Sequence, residues 1–313
     1  MSATSPMRTR HPLVQRGFTL IEIITSLAIL GIIGLAFVRL VVSQARFTEG
    51  QMALRNARSV SRNAMNIMLT DLRMVQDSGG LLFAARESVT MRIPVAFGLL
   101  CNNTPGSTTI SLLPIDEAQT ALGEYAGWAY RDSASGQFVY NNATTPKPFN
   151  SLDAGNVNKC TDNGLVLGAQ QPGIEPVTFL GHTGKIVQLA DPAVIATPNH
   201  GWPVFLYQQV TYRFQGSSAY PNRIGLFRKV KTDIPTSPIV DEIIAPFDNS
   251  ARFRFYVLNS DVAVDSAPAP ANLHLVRGLE LVLAGSSPRK QQGRSEAQQA
   301  LVTGVFFKNR RDP

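Results

Sequence analysis

The chain has 313 residues, 44% of them apolar and 16% charged, with a formal net charge of +7. That length holds one large domain or two small ones. The Lys and Arg residues are dispersed, as on solvated faces, and nucleic acid is not expected as a partner. The four histidines, His11, His182, His200 and His274, are scattered, and no Cys/His spacing makes a metal site.

In chain order the first feature is a basic run, Arg8, Arg10, His11 and Arg16, that ends at Gly17. Phe18-Thr19-Leu20-Ile21-Glu22 follows, and Ile23 to Val38 then carries no charge. Counted from Phe18 the apolar run is about 20 residues, enough at ~1.5 Å per residue to cross a hydrocarbon core of ~30 Å. Arginines before the span predict a cytoplasmic amino end and a chain outside the cytoplasm after Val38. Glu22 lies one turn inside the apolar end. A carboxylate costs about 2.5–3.5 kcal/mol near a bilayer centre and less towards its edge, so a partner for it is expected.

Gly17-Phe18-Thr19-Leu20-Ile21-Glu22, with its basic leader and uncharged run, resembles the processing site of type IV prepilins and type II secretion pseudopilins. The resemblance implies cleavage by prepilin peptidase between Gly17 and Phe18 and N-methylation of Phe18. It also implies a docking role for Glu22, whose carboxylate pairs with the terminal amine of a neighbouring pilin subunit. Other implied partners are the inner-membrane assembly platform and the lipid bilayer before assembly. A secretory signal differs in placing its cleavage site after the apolar stretch.

Past Val38 the sequence turns amphipathic. Ala57, Val60, Ala64, Ile67, Met68, Leu72 and Val75 recur at steps of three and four, with arginines between them. No proline interrupts Leu13 to Ile93, so one helix is expected to run to about Gln76 and stop at Ser78-Gly79-Gly80. Its inner half is expected to pack on other helices and its outer half on a globular domain. Many pilins place a proline just past the span, where this chain has Arg39.

From Ser88 short β-prone runs alternate with turn residues. Strands are predicted at Val89–Phe97, Thr109–Leu113, Trp128–Tyr130, Gln137–Tyr140, Lys185–Leu189 and Phe205–Phe214. Further strands are predicted at Ile224–Val230, Arg252–Leu258, Leu275–Leu283 and Leu301–Phe307. Ser266–Ala271 and Gly285–Gln299 read as exposed breaks. Within Phe205–Phe214 the alternation opposes Val210, Tyr212 and Phe214 to Thr211 and Arg213. The strand patterns around Val210–Phe214, Gly225–Arg228, Phe253–Tyr256 and Val305–Asn309, with Asp71-Leu72-Arg73, are similar to those of PilW-like minor pilins and J-type pseudopilins.

The expected organisation is a cleaved leader over 1–17, a transmembrane half-helix over 18–38, an amphipathic half-helix over 39–77 and a β-rich globular domain over 78–313. The fold class is α+β and pilin-like, with one long helix packed on an antiparallel β domain. Cys101 and Cys160 are a candidate disulfide, in a compartment where such bonds persist.

Other motifs carry little chemistry. Gly181-His182-Thr183-Gly184-Lys185 lacks the remaining glycine and the hydroxyl residue of a phosphate loop. The oxygen-rich stretch Asp153, Asn156, Asn158, Asp162 and Asn163 fits turns better than a calcium site. Arg289, Lys290, Arg294 and the tail Lys308, Arg310, Arg311 lack the interleaved aromatics of a single-strand nucleic-acid binder. No cofactor, metal or catalytic residue is expected. The predicted role is a minor pilin acting in pilus assembly initiation or at the pilus tip. The alternatives are a J-type pseudopilin of type II secretion and a pilus-tip adhesin.

Overall fold

The computed structural model describes residues 18–76, 79–104, 107–112, 124–148, 178–179, 182–183, 186–189, 201–231, 239–258, 260–288 and 296–307. Helix α1, Leu20–Leu72, has 53 residues and is about 80 Å long. The chain divides into two units, Met1–Met52 and Ala53–Pro313, and α1 contributes to both. In the first unit every described residue of α1 up to Glu49 is exposed.

α1 ends as regular helix at Leu72, one turn before the expected Gln76. Met74 N–H donates to Asp71 O at 3.1 Å and Val75 N–H to Leu72 O at 3.2 Å, so the last turn tightens before the chain leaves. Gly79, at φ +78°, then redirects it towards the sheet.

The strands are β1 Leu81–Ala85, β2 Ser88–Thr104, β3 Ser107–Leu112, β4 Glu124–Arg131 and β5 Phe138–Pro148. A two-strand ribbon follows, β6 Thr178–Phe179 with β7 His182–Thr183. Then come β8 Ile186–Gln188, β9 Pro203–Gly216, β10 Ile224–Val230, β11 Ile239–Phe247 and β12 Arg252–Val257. A 3-10 turn at Pro270–Leu275 leads to β13 Val276–Ser286 and β14 Gln298–Phe306. Apart from that ribbon, the described strands form one antiparallel sheet. Its main path is β12-β13-β11-β10-β9-β2-β3-β8, with β1 on β2, β4 and β5 beside β9, and β14 on β13.

The architecture is therefore the expected α+β arrangement of a long amino-terminal helix and an antiparallel β-rich domain. In the second unit the helix face is Ala53, Ala57, Ser61, Ala64, Met68 and Leu72, all buried. This corrects the expected stripe at two places: Val60 is only partly buried, and Ile67 is 39% exposed. Ser61 takes the central position because the helix lies very close to β13. A Cβ on Gly285 would come within 2.5 Å of Ser61 Oγ and nearer still to Ala57 O. The Ser61 hydroxyl donates to Leu283 O at 2.9 Å and accepts from Gly285 N–H at 3.0 Å. A polar residue thus sits in the core with its hydrogen bonds made.

Met68, Leu72, Val75, Met91, Val210, Tyr212, Phe253 and Leu281 belong to the main core under this helix. Val210, Tyr212 and Phe214 are buried on β9 as the alternation predicts. A smaller core, centred on Tyr125, Trp128, Leu206 and Ile110, lies on β2, β3, β4 and β9. Between β4 and β5, Ser135 N–H donates to Asp132 Oδ2 at 2.9 Å and Gly136 takes φ +67°. These contacts turn the chain back over Ser133–Gly136.

Four strands were not expected: β1, the two-residue β6 and β7, and β11. β1 has no alternation to read, and β11 carries Asp241, Glu242 and Pro246. Its pairing with β10 shifts register twice, which breaks the period-two pattern. The supposed break Gly285–Gln299 is partly sheet, since Gly285 and Ser286 close β13 and Gln298 opens β14.

Candidate functional site

The chemistry of the amino-terminal segment begins with how α1 starts. Thr19 precedes the first helical residue, and Glu22 stands three positions later. Glu22 N–H donates to Thr19 Oγ1 at 3.3 Å, while Thr19 N–H donates to Glu22 Oε2 at 3.2 Å. This reciprocal pair is a capping box, which supplies partners to two groups that the first helical turn leaves unsatisfied. The Thr19 hydroxyl lies 3.3 Å from the same Oε2. Thr-x-x-Glu was visible in the sequence as a helix start, and the reading of Glu22 as a docking group passed over it.

The two contacts of the carboxylate use Oε2, and among the described residues Oε1 has no hydrogen-bond or ion-pair partner. Glu22 is thus oriented by its own helix terminus. The negative group also faces the positive end of the helix dipole, a favourable placement worth about 0.3–1 kcal/mol.

Phe18, immediately before the cap, is 83% exposed. From there the helix presents Leu20, Ile21, Ile24, Leu27, Leu30 and further apolar side chains to its surroundings. Thr25 turns its hydroxyl inward along the helix and donates to Ile21 O at 3.0 Å. Its polar group is therefore satisfied without solvent, as a lipid environment requires. The helix is long and apolar enough to cross a membrane, with a mean hydropathy of 2.4 over its most apolar window. An exposed apolar surface of this extent calls for lipid or other helices around it.

Gly17 lies outside the described residues. So do Cys160, the Cys101 side chain, and the calcium candidates Asp153, Asn156, Asn158, Asp162 and Asn163. The basic groups Arg289, Lys290, Arg294, Lys308, Arg310 and Arg311 are also outside them. Of the phosphate-loop lookalike, His182 and Thr183 form β7 and pair with β6, and the other three residues lie outside.

In the second unit the polar clusters hold elements together. Tyr212 OH donates to Asp71 Oδ2 at 2.6 Å, and Arg228 Nε stands 3.2 Å from the same oxygen. The end of the helix is thereby tied to β9 and β10. Burial, then the Asp71 carboxylate, push the Tyr212 hydroxyl far above the usual tyrosine range. Arg92 is 9% exposed; its guanidinium donates to Asn142 Oδ1 at 3.0 Å and to Gly79 O, with the Tyr140 ring centroid 4.4 Å away.

A groove of about 670 Å³ lies between Asn56 and Asn63 of α1 and Ser218, Tyr220 and Glu242 of the sheet. Glu242 there is committed to Ser217 and Ser218, whose hydroxyls and one amide donate to it. Burial raises its pKa and these bonds outweigh it, leaving the carboxyl below its ordinary range. Among the described residues no group of three His, Cys, Asp or Glu side chains is placed to hold a metal ion.

Residues 13–38 match the family model of the prokaryotic N-terminal methylation motif. No curated protein and no solved structure matches the chain. The motif and the apolar amino-terminal helix support a membrane-anchored, type IV pilin- or pseudopilin-like protein. The motif implies processing by prepilin peptidase and assembly with other pilins, and points to a structural protein rather than an enzyme.

Proposed function

We propose that the chain is a minor pilin of a type IV pilus, a non-catalytic subunit that starts assembly or caps the filament tip. Prepilin peptidase removes residues 1–17, and the new amino terminus at Phe18 is methylated. The span over 18–38 anchors the mature subunit in the bacterial inner membrane, with the β-rich domain outside the cytoplasm. The amphipathic stretch over 39–77 joins the two. The assembly platform then moves the subunit into the filament, where its helix packs among those of other subunits.

The observation that carries this reading is Glu22, the one charge inside the apolar face, held by its own cap with no partner for Oε1 among the described residues. A methylated terminal amine on a neighbouring helix stays cationic and supplies the missing partner. The size of the domain over 78–313 favours a pilus subunit over the smaller client-moving J-type pseudopilin. Amino-terminal mass spectrometry of the mature protein tests the processing: methylated Phe18 is expected, and an intact leader refutes it. A deletion strain that keeps its pili but stops exporting protein would move the assignment to type II secretion.

A further inference from the structure

Where α1 lies against the sheet, its outer side carries one sign of charge. Arg55, Arg58 and Arg62 are all exposed. Their steps of three and four set them one above another on one face, over about 10 Å of helix. No position three or four residues from any of them holds an acid. Like charges at these spacings repel, so the helix itself gains nothing from the row. The helix dipole favours cations only in the last turn, and the last turn of α1 holds no basic residue.

Among the described residues Arg55, Arg58 and Arg62 have no hydrogen-bond or ion-pair partner. Ser59, one turn on from Arg55, accepts instead from Asn63 Nδ2 at 3.4 Å. Several arginines of the sheet are by contrast paired: Arg223 with Glu296, Arg228 with Asp71 and Arg252 with Asp265. A helix face that meets only water gains from mixed signs, and this one has a single sign. Its cations are arginine throughout, since Val38 to Gln76 contains no lysine. A guanidinium offers a planar fork that fits a carboxylate through two hydrogen bonds.

We infer that Arg55, Arg58 and Arg62 dock an acidic helix of a different subunit, one with carboxylates at steps of three and four along one face. This rests on the filament reading proposed for α1, in which it packs among the helices of other subunits. Rows of equal spacing on two neighbouring helices bring guanidinium and carboxylate together, as charged flanks do in coiled coils. A second copy does not supply such a row. Between Val38 and Gln76 its acids are Glu49 and Asp71, too far apart to form one, and Asp71 is held by Tyr212 and Arg228. The same face on a copy repels, so the row selects a partner unlike itself. Exposed pairs are individually weak, and the row contributes choice of partner and register more than affinity.

The test uses the full mature chain in phosphatidylcholine nanodiscs and a labelled alanine-rich helical peptide with glutamates three and four apart on one face. A control peptide of the same composition spreads its glutamates round the helix. Binding is followed by fluorescence anisotropy. The striped peptide should bind at least about threefold more tightly than the control, and less tightly as salt is raised. Arg55→Gln, Arg58→Gln and Arg62→Gln made together should weaken its binding at least about fivefold. The unfolding midpoint of that variant should stay level or rise, because a repulsive row is removed. Equal binding of the two peptides, binding indifferent to salt, or unchanged binding by the triple variant would each overturn the inference. A fall in the midpoint would overturn it too, by assigning the row to the chain's own fold. Three further results would give the row to another occupant: arginine-dependent dimerisation of the chain alone, arginine-dependent binding of duplex DNA tighter than that of the peptide, and loss of peptide binding when phosphatidylglycerol is added to the nanodiscs. Mass spectrometry of Phe18 in the same sample keeps the two readings apart. A methylated Phe18 without peptide binding defeats the row alone, and an intact leader with peptide binding defeats the filament reading alone.

Discussion

Glu22→Gln separates the two tasks that the geometry gives to one side chain. Glutamine serves at the third position of a capping box as glutamate does, so the Thr19 contacts survive. It is also neutral, which removes the cost of placing a carboxylate in the apolar layer, about 2.5–3.5 kcal/mol at its centre. Anchoring should therefore be no worse than in the native chain. What disappears is the charge on Oε1 that would meet a neighbour's ammonium. Breaking one partner of a poorly solvated ion pair costs about 3–5 kcal/mol, on the order of a hundredfold or more in the docking equilibrium. The companion change Thr19→Ala removes the cap and spares the charge, at about 1 kcal/mol or roughly fivefold. The assay is the amount of tagged full-length variant in sheared filaments, with mass spectrometry confirming cleavage at Phe18. Glu22→Gln should be cleaved and retained in the membrane yet enter filaments at least about tenfold less. Wild-type incorporation would refute the pairing, and an equal loss in Thr19→Ala would assign the effect to the cap.

Replacing Gly17 with a bulky residue should leave the leader attached, since the processing site calls for a small residue there; a normal mobility shift on gels would count against it. Gly285→Ala sets a methyl against Ala57 and Ser61, forcing helix and sheet apart by roughly 1 Å, and should destabilise the second unit by about 1–3 kcal/mol in urea unfolding. Tyr212→Phe removes the hydroxyl donor to Asp71 and leaves Arg228 in place, so a loss of about 1–2 kcal/mol is expected in the same measurement. Glu242 is held below its ordinary value of 4.5, so it stabilises the fold above that pH, and the contribution is lost as acid carries the pH down through the lowered folded value. Glu242→Gln should flatten that part of the stability profile below the ordinary value of 4.5, and an unchanged acid limb would remove Glu242 as its source.

The amino-terminal quarter of this chain was legible because its signals are local. Helix periodicity, the missing prolines and the order of Gly17, Phe18 and Glu22 need no tertiary contact to be read. The strands with clean alternation, such as Val210-Thr211-Tyr212-Arg213-Phe214, were legible for the same reason. Ser61 was not, because a serine reads as polar until β13 comes close enough to take its hydroxyl. β11 was hidden by the two register shifts against β10, which put Asp241 and Glu242 where a strand pattern would ask for alternation.

The same logic explains why one unbroken helix serves two environments. From Ala53 onward its small residues Ala53, Ala57, Ser61 and Ala64 fit it closely to the sheet, and packing fixes it there. Up to Val38 its apolar surface is stable in lipid or among other helices, where unsatisfied backbone is too costly for the helix to unwind. Arg39 to Met52 has neither support: its residues are exposed apart from half-buried Gly50, and it carries Arg46, Glu49 and Gln51. A separate peptide of that length would be marginal as a helix in water, because nucleation dominates. Here nucleation is already met on both sides, so each added residue needs only propagation. Glycine at position 50 costs about 1 kcal/mol against alanine, and no proline adds to it. Continuity from two well-held ends, rather than any contact of its own, keeps this middle stretch helical.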